Sequence, residues 1–254
     1  KIAGTRTSAS TTSTNLTITY RLQETGSRYH VSYTLYPSGM LHIACHLEAQ
    51  PNAPELPRIG ARFRIPADMN QLEYFGRGPE ENYCDRKNGT LVGYYKSTAE
   101  QQYVPYVRPQ ENGHKTDVRW LALMDKTGKG LLLVADSNFM EFNVSRNRVE
   151  DFDSEESNRA YQWQNFTKDE SHDPDKAKNR KPKQTHINDI YPRNFVEVCV
   201  DHRMMGVAGD DSWGSQPYPQ YRLPADRDYD WNFTVIPIKN NLEIYNHLAY
   251  QYLQ

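Results

Sequence analysis

The chain has 254 residues, with 30 Lys and Arg against 32 Asp and Glu, and a formal net charge of −2. That balance argues against a dedicated nucleic-acid binder, and no window approaches the ~18 consecutive apolar residues of a membrane-spanning helix. A hydrophobic share of 37%, including 18 Tyr, 8 Phe and 4 Trp, supplies a sizeable core and excludes a disordered chain.

The chain opens on Lys1, without an initiator Met or a charged-then-apolar leader, as expected of a piece of a longer polypeptide. Residues 5–14 are Ser/Thr-rich and read as a loose polar terminus. From there, period-2 alternation dominates. Leu16, Ile18, Tyr20 and Leu22 alternate with Thr17, Thr19 and Arg21, and Val31, Tyr33 and Leu35 repeat the pattern. After the turn Pro37-Ser38-Gly39 it returns at Leu41, Ile43, Cys45 and Leu47. These are half-buried antiparallel strands joined by hairpins. Further strands are expected at 58–65, 72–75, 91–95, 118–124, 131–135, 139–144, 194–200 and 231–238, with a hairpin turn at 127–130. So many short strands with turn signals between them indicate a sandwich or barrel, read as a single all-β domain over 1–254. Helical periodicity is confined to Leu242, Tyr245, Ala249 and Tyr252, which suggest a short terminal helix. Between Lys168 and Lys183, 10 of 16 residues are charged, with two prolines among them; this excursion reads as a solvated loop.

Few residue patterns support chemistry. His42 and His46 have the i, i+4 spacing of helical zinc ligands, but they lie in an alternating strand, where four residues span ~13 Å. The cysteines Cys45, Cys84 and Cys199 are odd in number and far apart, so neither a disulfide framework nor a zinc ribbon is supported. Gly76-Arg77-Gly78-Pro79 lacks the third glycine and the helix of a phosphate loop, and Glu80 and Glu81 would repel phosphate. The acid pairs Glu80-Glu81, Glu155-Glu156 and Asp210-Asp211 are sequence neighbours, which on a strand point to opposite faces. They do not make the facing carboxylates of a glycosidase. The segment that stands out runs from Met205 to Gly214. Its glycines and acids suit a tight, hydrogen-bonded loop carrying Trp213. The indole either offers its face to a ligand, to which a sugar's C–H face is suited, or packs back into the core.

A set of longer motifs goes further. Pro57-Arg58-Ile59-Gly60, the run from Tyr74 through Gly76-Arg77-Gly78-Pro79-Glu80-Glu81-Asn82-Tyr83-Cys84-Asp85-Arg86, and the run from Tyr103 to Gly113 resemble the C-terminal small-chain domain of family 2 β-galactosidases. Residues 139–145, Thr185-His186 and the Gly209–Gly214 loop continue the resemblance, in family order, over about residues 20–238. It implies a large antiparallel β-supersandwich of the galactose-mutarotase type. It also implies that the acid/base and nucleophile glutamates lie on a separate (β/α)8 barrel, the domain's partner. The family's opening Arg-Ala-Pro-x-Asp-Asn-Asp segment is missing, so the chain looks N-terminally truncated, and alone it is expected not to hydrolyse glycosides.

By the same resemblance Trp213 is the tryptophan that stacks on the sugar at the leaving-group subsite, and Asp210, Asp211 and Ser212 fix its loop. The implied partners are a β-galactoside with its leaving-group sugar and the barrel of a parent that could be homo-oligomeric; no nucleic acid, membrane, cofactor or metal is expected for this domain. The Asn82–Arg86 and Glu111–Gly113 motifs are expected to knit a loop to a sheet. Ala208 stands where many relatives have Gly. Two other readings compete. A stand-alone aldose epimerase would need a general acid and base, for which His114, His186 and His202 are available, and a carbohydrate-binding module would need only the aromatic platform.

Overall fold

The computed structural model describes residues 1–23, 25–51, 53–152, 187–211 and 214–239. Among these are thirteen strands: β1 (Ile2–Ala9), β2 (Thr14–Arg21), β3 (Arg28–Leu35), β4 (Leu41–Glu48), β5 (Arg58–Pro66), β6 (Gln71–Gly78), β7 (Leu91–Thr98), β8 (Lys115–Val118), β9 (Trp120–Met124), β10 (Lys129–Ala135), β11 (Met140–Ser145), β12 (Phe195–Met204) and β13 (Tyr229–Lys239). They form a nine-stranded sheet in the order β1-β2-β3-β4-β13-β10-β9-β6-β7 and a four-stranded sheet in the order β5-β12-β11-β8. Every pairing is antiparallel. The expected all-β, large antiparallel β-supersandwich is therefore present. No helix among the described residues is long and apolar enough to cross a membrane.

Alternation dictates which face is buried. On β4, Ile43, Cys45 and Leu47 are buried, while His42 and His46 point to the other face. There His42 Nδ1 lies 3.3 Å from Thr234 Oγ1 and His46 Nδ1 lies 2.8 Å from Asp230 Oδ1, so the two rings take separate partners on β13. The main core lies between the sheets and unites Val31, Ile43, Leu72, Tyr74, Leu121, Leu133, Trp231 and Phe233 of the large sheet with Ile59, Ile65, Phe142, Val144, Val196, Val198 and Val200 of the small one. Trp231 Nε1 donates to the Tyr29 hydroxyl at 3.0 Å, which in turn reaches the Gly60 carbonyl at 3.4 Å and so crosses from one sheet to the other. The central strands β9 and β10 are apolar on both faces. Trp120, Ala122, Met124, Leu132 and Val134 form a second buried cluster on the opposite side of the large sheet.

Two expectations are corrected. Residues 5–9 are not a loose terminus but part of β1, paired with β2 from Ile2–Tyr20 to Ala9–Thr14. Every residue of β1 is exposed, so its sequence carries no apolar alternation, and Thr favours the extended backbone. The stretch 118–124 is not one strand. Val118 closes β8 in the small sheet and Trp120 opens β9 in the large one, with the chain changing sheets at Arg119. Asp117, just before this corner, has φ 53° and accepts hydrogen bonds from Arg77 Nε at 2.5 Å and Lys87 Nζ at 2.8 Å. The charged excursion at 168–183 and the expected helix at 242–252 lie outside the described residues.

Candidate functional site

The run that follows β6 is folded onto the start of β8 by its own side chains. Asn82 is fully buried. Its amide nitrogen donates to the Arg77 and Glu80 carbonyls at 3.2 and 3.0 Å, and its Oδ1 accepts from the Thr116 N–H and hydroxyl at 3.0 and 2.6 Å. Glu81 accepts from the Gly113 N–H at 2.7 Å, from Arg86 at 2.5 Å and from the Tyr106 hydroxyl. The ring of Tyr83 stacks on His114 with centroids 5.3 Å apart, while the Arg86 guanidinium lies 4.7 Å over the Tyr83 ring. Glu81, next to the Asn82–Arg86 motif, thus reaches the Glu111–Gly113 motif through the Gly113 N–H, while the Tyr83 hydroxyl is buried with no hydrogen-bond partner among the described residues.

Beneath them lies a buried polar network on the small sheet. His114 Nδ1 is 2.7 Å from Asn143 Oδ1, and Nε2 is 3.0 Å from Glu141 Oε2. Asn143 Nδ2 donates to Glu111 Oε1 at 2.7 Å and to the Asn112 carbonyl at 2.8 Å, which fixes its oxygen toward the imidazole. Both ring nitrogens of His114 therefore face acceptors. Burial opposes the charged imidazolium, but the hydrogen bond and charge of Glu141 outweigh it and raise the pKa. Glu141 Oε2 also accepts the Met204 N–H at 2.7 Å, so the network ends where β12 does.

At that point the chain enters the loop that carries the sequence-predicted site residues. Met205 N–H donates to the Pro57 carbonyl at 2.9 Å, and Gly206 N–H donates to the Tyr221 carbonyl at 2.7 Å. The Cys84 thiol, which burial pushes up to about 11, keeps its proton and points it at the Met204 carbonyl at 3.4 Å. Asp85 Oδ2 accepts the Ala208 N–H at 2.8 Å. Gly209 forms the neck of the turn; a Cβ there would fall 2.2 Å from the Ser215 carbonyl oxygen. Beyond the neck, Asp210 Oδ1 accepts from the Tyr218 hydroxyl at 2.6 Å. Asp210, Asp211 and Gly214 are all exposed. Ser212 and Trp213 lie outside the described residues. Sequence reasoning did not find Cys84, Asp85 and Tyr218 as supports of this loop. Cys84 and Asp85 reach Met204 and Ala208 across 120 and 123 positions of sequence, with only their place in the Asn82–Arg86 motif to mark them, and Tyr218 reaches Asp210 across 8 without any motif.

The histidines considered for epimerase chemistry sit differently. His114 is fully buried with both nitrogens engaged, and His186 lies outside the described residues. His202 is half-buried, meets the Tyr229 ring edge-on at 6.2 Å, and has its pKa lowered by burial and then by Arg203. It borders a small depression with Phe139, Trp231, Asn232 and Asp201. The carboxylate there, Asp201, is buried and ion-paired with Arg58. Among the described residues no group of three or more His, Cys, Asp and Glu side chains is arranged to hold a metal ion.

Comparison with known proteins gives this geometry a family. The beta galactosidase small chain family matches residues 2–235. The β-galactosidase of Priestia megaterium is 34% identical over 209 residues, covering 82% of this chain and 17% of that protein. That of Halalkalibacterium halodurans is 30% identical over 208 residues, covering 81% and 18%. The chain thus matches less than a fifth of the length of these relatives. Among solved structures, a galactose mutarotase related enzyme from Lactobacillus acidophilus aligns over 94% of this chain and 73% of its own, at 10% identity and a TM-score of 0.41. A family 36 α-galactosidase from Geobacillus stearothermophilus aligns over 95% and 26%, at 9% identity and a TM-score of 0.43. On the family match and the bacterial relatives, this chain belongs to the β-galactosidase small-chain family.

Proposed function

We propose that residues 1–254 form the small-chain domain of a β-galactosidase that hydrolyses terminal β-D-galactosides. In this reading the acid/base and nucleophile glutamates belong to a (β/α)8 domain elsewhere in the parent chain. This domain packs against the barrel and carries Trp213 on the Gly209–Gly214 turn as a stacking platform for the leaving-group sugar. The observation that carries the reading is the asymmetry of the family match: four-fifths of this chain aligns with β-galactosidases whose remaining length has no counterpart in it. The exposed, well-braced base of the turn supports the platform role. The domain supplies no acid/base pair in this reading and needs no cofactor or metal. The engaged ring of His114 and the paired Asp201 support that over an epimerase, whose acid and base must be free to meet the sugar.

The test uses the intact parent enzyme and the isolated chain. Trp213→Ala in the parent should raise KM for lactose and weaken transfer to glucose by ~2- to 10-fold, the worth of one stacking contact, with galactose inhibition unchanged. The isolated chain should neither hydrolyse lactose nor speed mutarotation of glucose or galactose above buffer. Equal losses for glucose and galactose would refute the platform, and turnover by the isolated chain would refute the accessory role.

A further inference from the structure

The structure assigns to Asp85 the role of a positioning residue, one that sets where residues 206–208, the entry to the loop, stand relative to the body of the sandwich. The inference rests on the reading of this loop as the leaving-group platform and adds to it the residue that fastens the loop's entry to the body of the fold.

Asp85 lies at the end of the motif folded onto β8, a rigid place. Asn82 and Tyr83 are fully buried, and Asn82 binds four polar groups of the neighbouring backbone and Thr116. From this base Asp85 Oδ2 takes the Ala208 N–H at 2.8 Å. The loop also packs directly on the carboxylate. A Cβ at Gly206 would fall 2.6 Å from Oδ2 and 2.8 Å from Cγ, so glycine at 206 is what lets the backbone come this close. Cys84 adds its contact to the Met204 carbonyl beside it. Of the other contacts of the turn, Gly209 against Ser215 and Asp210 with Tyr218 join parts of the loop to each other. At its entry, Met205 N–H on the Pro57 carbonyl and Gly206 N–H on the Tyr221 carbonyl hold the backbone just before Ala208. Asp85 adds a side-chain tie from the run that follows β6, and at a cost: Oδ1 is buried with no hydrogen-bond partner among the described residues. An unpaired buried carboxylate oxygen is unfavourable for folding, and such costs are met most often where geometry serves function.

The experiment has two arms. In the 254-residue chain, amide hydrogen exchange at Ala208 should quicken by about tenfold in Asp85→Ala while exchange in β9, β10 and β12 stays unchanged. Asp85→Asn, which keeps an acceptor oxygen, should restore most of the protection. In the parent enzyme, Asp85→Ala should raise KM for lactose and weaken transfer to glucose as Trp213→Ala does, with galactose inhibition unchanged. The double variant should be no worse than Trp213→Ala alone. Unchanged exchange at Ala208 overturns the inference, as do equal losses for glucose and galactose, or a change in exchange without a change in leaving-group kinetics where Trp213→Ala does change them. Failure of the platform reading shows separately, as Trp213→Ala without effect on the acceptor while Asp85→Ala still frees the Ala208 amide.

Discussion

The ring of Phe142, on the small sheet, meets that of Tyr74, on the large sheet, edge to face, with centroids 5.1 Å apart and planes at 77°. Both side chains are almost wholly excluded from solvent and sit in the cluster that joins the two layers. An edge-to-face pair adds to the burial of its area, and no neighbouring strand can shift to fill the space. Phe142→Ala should therefore lower stability by roughly 3–5 kcal/mol. Denaturant unfolding of the 254-residue chain measures this. A loss below about 1 kcal/mol would mean that the two sheets do not depend on this contact.

The contact between His114 and Glu141 makes stability depend on pH. Glu141 raises the folded-state pKa of His114 against the opposition of burial, Asp201 acts in the same direction as Glu141, and Arg58 acts against both. The folded state thus binds the proton more tightly than the unfolded chain, where the imidazole titrates near about 6.5. The stabilisation is complete below that value and is lost as pH rises through the higher folded pKa. Melting temperatures measured from acid to mildly alkaline pH should fall over this window. Glu141→Gln keeps an acceptor for the Met204 N–H but removes the charge, so its melting curve should be flatter there. An unaltered slope would show that the imidazole is neutral in the fold.

The buried cation beside it gives the opposite sign. Lys115 has 2% of its surface exposed and donates to the Gly113 carbonyl at 3.1 Å. Burial lowers its pKa to about 8, against the attraction of Glu81 and Glu80. For a cation with a depressed folded pKa, the associated stability is fully present only above the unfolded value of about 10.4, and is lost as pH falls toward 8. Lys115→Met keeps the aliphatic stem and removes the amine. It should raise stability at neutral pH by about 1–3 kcal/mol and abolish the rise in stability between pH 8 and 10. A variant less stable than wild type at pH 7 would mean that the bond to Gly113 outweighs the cost of burial.

These examples mark what the sequence could and could not reveal. β4 was legible because its apolar residues alternate against one buried face. β9 and β10 were legible because their runs Trp120–Met124 and Leu131–Ala135 are apolar on both faces, as strands central to a sheet must be. β1 was not, since an edge strand exposed on both faces bears no hydrophobic period. The change of sheet at Arg119 was also hidden, because Val118 and Trp120 are both buried and only the pairing partners differ. For the site, composition marked the Met205–Gly214 loop as tight and polar, and the family motif gave Trp213 its proposed role. The brace between Asp85 and Ala208 joins residues 123 positions apart and has no local signature.

Gly209→Ala separates the loop from the body of the fold. The added Cβ would stand 2.2 Å from the Ser215 oxygen and 2.6 Å from its carbonyl carbon, both backbone atoms that can yield only if the neck opens. Yet Gly209 is exposed and belongs to no strand, so opening the neck breaks no ladder and exposes no core. The midpoint of global unfolding should stay within about 1 kcal/mol of wild type. Limited proteolysis between residues 207 and 218 should quicken severalfold, since cleavage there follows the local opening equilibrium. This is the reverse of the pattern expected for Phe142→Ala, where global stability falls and any gain in cleavage is spread along the chain. If Gly209→Ala lowers the global midpoint as far as Phe142→Ala does, the neck is part of the cooperative core, and the loop cannot be altered without altering the sandwich.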